Sequence, residues 1–409
     1  MGERSNPEAA PTSAWTSPLY RHYALANGVS LIGTWVQRLS LAWLAWKISG
    51  SELWVGVIAF ASFAPLVLSP YFGALSDRLS ARTVALATNS AMLVIATLIG
   101  VLSLMDLLNI RSLLVLALVI GLANAAYVPV RMSIVHDLVP RAQVTSAVAN
   151  NSLIFNVSRL VGPVVAGLLL AKASIEVCFL LNGLSFLPFM AVLTRIPLHK
   201  APTRPQRRIM AEVAEGFAYT ARHPLLGPQV LLSAWGGACT GGVMELVAVY
   251  AERLYDRGVD GLAYLSSAAG LGALVAALIC ARLKLGLPQR ERLSLITRLL
   301  AALVMVGLPW LGILGLGMGL MAIMGFFLTS ASILSQTMVQ TEGAADYRGR
   351  VSAIWGMSAM GGMALGGLLL GAAMELVGLR AATASLGLIG VILPLVFLVR
   401  TKQTPFAAY

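Results

Sequence analysis

Twelve long apolar runs, separated by short polar turns, set the pattern of this chain. They cover residues 20–46, 53–75, 83–105, 112–135, 147–171 and 174–194, and then 225–250, 260–283, 293–309, 312–340, 350–374 and 380–399. Most approach the roughly 20 residues that an α-helix needs to cross the hydrocarbon of a bilayer. The pattern predicts an all-α membrane protein with twelve transmembrane helices in two pseudo-symmetric six-helix bundles. Its parts are a cytoplasmic tail (1–19), a first bundle (20–194), a linker (195–224), a second bundle (225–400) and a second cytoplasmic tail (401–409).

The linker is the most basic stretch, with Arg195, Lys200, Arg204, Arg207, Arg208 and Arg222. Within it Ile209, Val213, Phe217 and Ala221 recur every four residues, opposite Arg208, Glu212 and Glu215. That spacing predicts an amphipathic helix lying on the inner leaflet as a tether between the bundles. The bundles themselves read as weak repeats. AGLLLAKA (Ala166 to Ala173) matches GGLLLGAA (Gly366 to Ala373), and Arg141-Ala-Gln-Val echoes Arg348-Gly-Arg-Val. Such repeats are the sequence trace of transporters that bind substrate near the midplane, between their halves.

Composition sharpens this reading. The 409 residues are 58% hydrophobic and 11% charged, far below the roughly one-quarter charged content of soluble domains. The net charge of +12 suggests nucleic acid only until its placement is considered. Of 29 Lys and Arg residues, 21 fall on the termini and one set of turns, 6 on the other set, and 2, Arg38 and Arg159, in spans. That bias places both termini in the cytoplasm and assigns the basic charge to anionic lipid headgroups rather than nucleic acid. Residues 1–18 are polar and carry prolines, so they are expected to be a tail rather than a signal peptide. Cys178, Cys239 and Cys280 lie in apolar runs and look like small buried residues, without a disulfide or metal role.

One short loop is more specific. SPYFGALSDRLSAR, from Ser69 to Arg82, joins the second and third runs and carries Gly73, Asp77, Arg78 and Arg82. Gly73 allows two helices to approach closely, Asp77 suits the positive end of a neighbouring helix, and the two arginines favour the cytoplasmic side. The spacing resembles the signature loop between helices 2 and 3 of the major facilitator superfamily. Ser80 and Ala81 stand where that loop has a second glycine and a further basic residue. The second-half copy, from Ala281-Arg282 to Arg292, has lost the acid that Asp77 supplies in the first.

Further stretches resemble the branch around the enterobactin exporter and related drug efflux pumps. The first run has Asn27, Gly33, Trp35, Gln37, Arg38, Leu39, Ala42 and Trp43, with Thr34 where many relatives have Asp. The fourth ends in Tyr127-Val-Pro129-Val-Arg131, then His136-Asp137-Leu-Val-Pro140. The fifth reads Asn151-Ser152, Phe155-Asn156, Arg159-Leu160 and Gly162-Pro163-x-x-Ala166-Gly167. The resemblance implies a siderophore or hydrophobic drug as substrate, and it likens Gly162, Pro163 and Gly167 to the antiporter motif of exporters. Physically, Pro163 frees a carbonyl and kinks the helix, and the glycines permit close packing.

The chain has no phosphate-binding Gly-x-x-x-x-Gly-Lys-Ser/Thr, no His/Cys cluster at metal spacing and no nucleophile–base pair. It is therefore expected to be neither an enzyme nor a cofactor protein, and an ion gradient or the substrate's own gradient must supply the energy. Ionisable groups inside spans are functional candidates. Among the acids only Glu245 qualifies; a carboxyl in a low-dielectric site favours its neutral form, which suits one proton taken and released per cycle. Arg38 and Arg159 either attract an anionic substrate group or tie Glu245 and backbone carbonyls. Trp35 and Trp43 offer stacking faces beside Arg38. Met318, Met321, Met324, Met357, Met360 and Met363 suit an adaptable apolar wall, though lipid-facing packing gives the same composition and is the expected cause. At the cytoplasmic face a gating network is expected, with Asp77 against the helix N-terminus near Arg350 and Arg78 or Arg82 on Asp137.

These readings converge on a monomeric, multi-pass transporter of the bacterial inner membrane. It exports a small amphipathic compound, in contact with membrane lipids and with the proton as coupling ion. The alternative is a lysophospholipid flippase without proton antiport.

Overall fold

The computed structural model describes residues 13–69, 71–72, 80–140, 143–195, 206–344 and 347–403. Every element among them is helical. The first bundle is built from α1 (Pro18–Ser49), α2 (Glu52–Ala61), α3 (Ala81–Leu104), α4 (Ile110–Asp137), α5 (Val144–Lys172) and α6 (Ile175–Arg195). α7 (Gln206–Arg222) is the linker helix. α8 (Leu226–Cys239), α9 (Gly258–Arg282), α10 (Leu287–Gly307), α11 (Leu314–Glu342), α12 (Arg348–Val377) and α13 (Leu379–Gln403) follow. Nine of these, among the described residues, are each long and apolar enough to cross a membrane. The remaining predicted spans are the 32-residue α1, which carries Asn27, Gln37 and Arg38, and two broken segments.

Local chemistry fixes the boundaries. Ser17 caps α1 through Tyr20 N and Pro18 fills its first position, where a missing N–H costs nothing. Gly50 ends the helix at φ +60°, its N–H donating to the Trp46 carbonyl at 2.8 Å. Ser51 then caps α2 through Trp54 N at 3.2 Å, so α1 and α2 reverse within two residues. Asn109 caps α4 through the backbone N–H groups of Arg111 and Ser112.

Two predicted continuous spans are broken. The second gives way at Ser62–Phe63 to a tight 3-10 turn, Ala64–Leu68, with Pro65 seated in the notch at Gly121 of α4. The seventh stops at Cys239, passes through the 3-10 turn Gly241–Met244, and resumes as a short helical turn and a π-turn ending at Leu254. Glycine disfavours helix, and Gly237 and Gly242 here lie against the α12 backbone at Gly362–Met363 and Gly366–Gly367. Backbone contact with α12 thus replaces the regular helical ladder.

The first six spans meet the last six through α2 on α12 and α5 on α9. Gly56 faces the Gly367 carbonyl, Gly371 faces Glu52–Leu53, and Gly167 faces Ala263. The pairs Arg253–Glu52 (3.1 Å) and Ser51–Glu375 join the same end. These approaches lie in the half of the molecule next to the turns at 50–51, 255–257 and 378. Apolar burial continues across the α1–α2 and α8–α9 region in one large cluster from Val36 to Ala382.

The linker forms a helix, Gln206–Arg222, where the spacing predicted one. Its acidic face, not its apolar one, docks on the protein: Arg350 pairs with Glu215 at 3.1 Å and Glu212 at 3.6 Å, Tyr347 donates to Glu215 at 2.6 Å, and Tyr219 stacks on Tyr347 at 4.3 Å. Phe217 and Ala221 are left exposed, where lipid would cover them. The methionines also depart from expectation. Met321 and Met324 are fully buried and Met318 packs against the same core, because a flexible thioether fills irregular gaps between helices.

Candidate functional site

The centre of the molecule is an ion pair across the two sets of spans. Arg38 of α1 donates from Nη2 to Oε1 of Glu245, 207 residues away. Glu245 is 5% exposed and Arg38 19%. Glu245 stands at the end of the glycine-rich 3-10 turn, so the break in the seventh segment is what aims its side chain at α1. Gly367 lies beneath it; a Cβ at that position would come within 2.9 Å of Glu245 Cβ. A small cavity adjoins the pair, lined by Leu41, Ala42, Ile58, Ala59, Ser62 and Phe63. Broken helices are where many transporters build ion and substrate sites.

The Arg38 guanidinium lies between two aromatic faces, 4.3 Å from the Phe63 ring and 5.0 Å from Trp35. Its Nη1 is buried without an acceptor among the described residues. Arg159 of α5 lies within electrostatic range of Arg38, and among the described residues it has no carboxylate partner. Between them the two arginines and Glu245 carry one positive charge in excess. Gly162, one turn from Arg159, admits the Trp35 side chain directly against the α5 backbone. Pro163 follows inside a helix that continues to Lys172.

Trp43 does not join this group. It is 9% exposed, sits in the apolar cluster and approaches Gly258, while Phe63, in the break after α2, takes the stacking position on Arg38. Of the expected gating residues, Gly73, Asp77, Arg78 and the Asp137 side chain lie outside the described residues. Arg82 opens α3 after the Ser80 cap. Arg350 is engaged by Glu212 and Glu215 of the linker helix.

Three buried ionisable groups escaped the sequence reading. Arg298, 8% exposed in α10, donates to the Leu232 carbonyl at 2.7 Å and to Ser233 Oγ at 3.1 Å. Ser233 continues to Ser335 Oγ at 3.3 Å, which accepts from Trp355 Nε1 at 3.0 Å. Arg38 and Arg159 are therefore not the sole intramembrane cations; the position of Arg298 inside the predicted run 293–309 was the available signal. Glu291 and Glu176 are buried near the ends of α10 and α6, with Ser103 donating to Glu176 at 2.9 Å, so Glu245 is not the sole buried acid.

The sequence profile of the MFS transmembrane secretion effector family matches residues 9–407. The chain belongs to this family. It is thus a multi-pass transporter of the major facilitator type. It is 28% identical over 397 residues to the uncharacterized MFS-type transporter YfiS of Bacillus subtilis, covering 91% of each chain. It is 29% identical over 281 residues to the enterobactin exporter EntS of Escherichia coli, covering 66% of this chain and 65% of that one. It is also 27% identical over 186 residues to the staphyloferrin A transporter of Staphylococcus aureus, covering 45% and 46%. The matched segments therefore span about half of the staphyloferrin transporter and just under two-thirds of the enterobactin exporter. In fold, the chain is similar to a bacterial homologue of the lysosomal transporter Spinster in an inward-facing occupied state, with a TM-score of 0.65, 14% identity and 97% coverage of both chains. A POT family transporter in complex with 5-aminolevulinic acid gives a TM-score of 0.74 at 12% identity, covering 95% and 96%.

Proposed function

We propose that this protein exports a small anionic, amphipathic compound of the siderophore class across a bacterial inner membrane, exchanging it for protons. The reading rests on the Arg38–Glu245 pair. Opposite charges on the two sets of spans, buried at a break in one of them, form a switch that a proton or a substrate anion can open. Protonation of Glu245 removes the charge that holds Arg38. The freed guanidinium, with Arg159 beside it, then offers two cations to an anionic group. Substrate and proton cannot both be ignored by such a pair, which is the basis of exchange.

The remaining assignments follow the same reading. Residues 20–194 and 225–400 act as two bundles joined by the linker 195–224, with both termini in the cytoplasm as the positive-inside bias requires. The contacts beside Ser51 and Glu375 then close the periplasmic side, and alternating access breaks them while closing the linker side. Gly162, Pro163 and Gly167 serve as the hinge of α5. The Asp77, Arg78, Arg82 and Asp137 network completes the cytoplasmic gate. The relatives named for enterobactin and staphyloferrin A supply the substrate class, and the excess positive charge agrees with anionic chelators rather than cationic drugs.

The test is substrate-dependent proton movement in proteoliposomes, comparing wild type with Glu245→Gln over catecholate and carboxylate chelators and cationic dyes. Proton flux with the chelators, lost in the variant while binding persists, is the expected result. Chelator transport without proton flux in either protein would overturn the antiport.

A further inference from the structure

Arg38 is one end of a longer arrangement. From Phe63 the sequence of contacts runs to Arg38 at 4.3 Å, from Arg38 to the Trp35 ring at 5.0 Å, from Trp35 to Phe155 at 6.0 Å, and from Phe155 to the Arg131 guanidinium at 5.5 Å. Guanidinium groups and aromatic rings therefore follow one another in a series contributed by α1, α4, α5 and the turn after α2, with Trp35 and Phe155 meeting edge to face. Arg131 sits six residues before the end of α4, about 9 Å along the axis, whereas Arg38 lies some 30 Å into α1 from Pro18. The series climbs from the linker end of the molecule to the Glu245 pair.

Arg131 has no ion-pair or hydrogen-bond partner among the described residues, and its Nε is buried without an acceptor. Arg131 as a whole is half-buried, but a buried guanidinium nitrogen without an acceptor is costly, and the Phe155 face offsets only part of that cost. Among the described residues no carboxylate supplies its counter-charge. A planar anion supplies both missing partners, an oxygen pair for the guanidinium fork and a ring for the aromatic faces.

We infer that Arg131 and Phe155 form an entry subsite that captures the aryl-anion portion of a substrate from the linker side and passes it along Trp35 to Arg38. This rests on the export reading above for its direction but not for its binding chemistry. Arg131 and Phe155 are then specificity-determining residues. An aromatic anion is favoured over a saturated anion of the same charge, and over a neutral arene.

The experiment uses the full chain in lipid nanodiscs, with 1-naphthoate as probe by fluorescence anisotropy and with benzoate and cyclohexanecarboxylate as competitors of equal charge. Wild type is expected to bind the probe and to prefer benzoate. Arg131→Gln is expected to weaken probe binding about tenfold, and Arg131→Lys to recover part of it. Phe155→Leu, which keeps an apolar side chain in place, is expected to erase the preference for benzoate. Naphthoate binding in wild type that is unchanged in both Arg131→Gln and Phe155→Leu overturns the subsite, as does wild type that binds no probe. Probe binding that responds as expected, in a protein that moves no protons with any chelator, leaves the subsite standing and removes the antiport reading.

Discussion

Arg38 and Glu245 form the one buried ion pair among the described residues that joins the first six spans to the last six. Breaking a buried pair by removing one partner is far more damaging than removing both, because a single charge is left desolvated. Arg38→Met or Glu245→Leu alone is therefore expected to destabilise the protein by about 3–5 kcal/mol. The double variant is expected to be closer to wild type than the two losses added together. Thermal unfolding in detergent of the four proteins measures this. Additive losses would show that the two side chains act independently.

Gly367 tests whether the pair needs its present geometry. An added methyl would come within 2.9 Å of Glu245 Cβ and 3.1 Å of its Cγ, closer than carbon atoms tolerate, so the Glu245 side chain must shift off Arg38. Gly367→Ala is expected to cut proton-coupled transport by about tenfold or more while the protein still inserts and folds, since overpacking of this kind costs about 1–3 kcal/mol. Gly361, on the same helix with nothing within 4 Å of its Cβ position, is the control, and Gly361→Ala should transport normally. Proteoliposome flux at matched protein levels reports both.

Much of this architecture was legible in the apolar runs, because the bilayer forces nearly every span to declare itself as a continuous helix. The breaks were not legible. Gly237 and Gly242 fall inside the predicted run 225–250, and only the α12 backbone lying against them shows that packing displaced the helical ladder. Arg38 and Glu245 stood out individually, since charge inside an apolar run is conspicuous, but their pairing depends on a tertiary approach that spacing does not carry. Trp43 and Trp35 looked equivalent in sequence. Eight residues separate them, slightly more than two turns, and that rotation, together with the depth of α2, sends one into the core and the other onto Arg38. Arg298 lay within the predicted run 293–309 and was legible as a charge inside a span, but its partners, the Leu232 carbonyl and Ser233, come from another helix and were not.

His223 predicts a pH effect at the linker. Its Nδ1 accepts from Leu225 N at 3.2 Å and Leu226 N at 3.3 Å, capping the start of α8. Burial lowers its pKa, with Glu342 partly opposing, so the folded state prefers the neutral ring. The capping stability is then fully present above the unfolded value of about 6.5 and is lost as pH falls through the lower folded value. Protonation also removes the Nδ1 lone pair that accepts the two bonds. Amide exchange at Leu225 and Leu226, corrected for intrinsic rates, should accelerate on acidification below about pH 6.5 in wild type. His223→Ala should show fast exchange at every pH.

Arg159 separates substrate recognition from coupling. It shares the site with Arg38 but has no carboxylate of its own among the described residues, so its charge is available to a ligand at all stages, whereas that of Arg38 is available only when Glu245 releases it. Arg159→Gln removes one charge-assisted contact, worth about 1.5–3 kcal/mol, and is expected to weaken anionic chelator binding about tenfold to a hundredfold. Glu245 keeps its proton chemistry, so flux at saturating substrate should persist and the proton-to-substrate ratio should be unchanged. Arg38→Gln should instead abolish the ratio along with the flux. Initial transport rates against substrate concentration, read together with proton uptake, distinguish the two. Equal loss of maximal flux in both variants would place Arg159 in the coupling machinery and not in recognition.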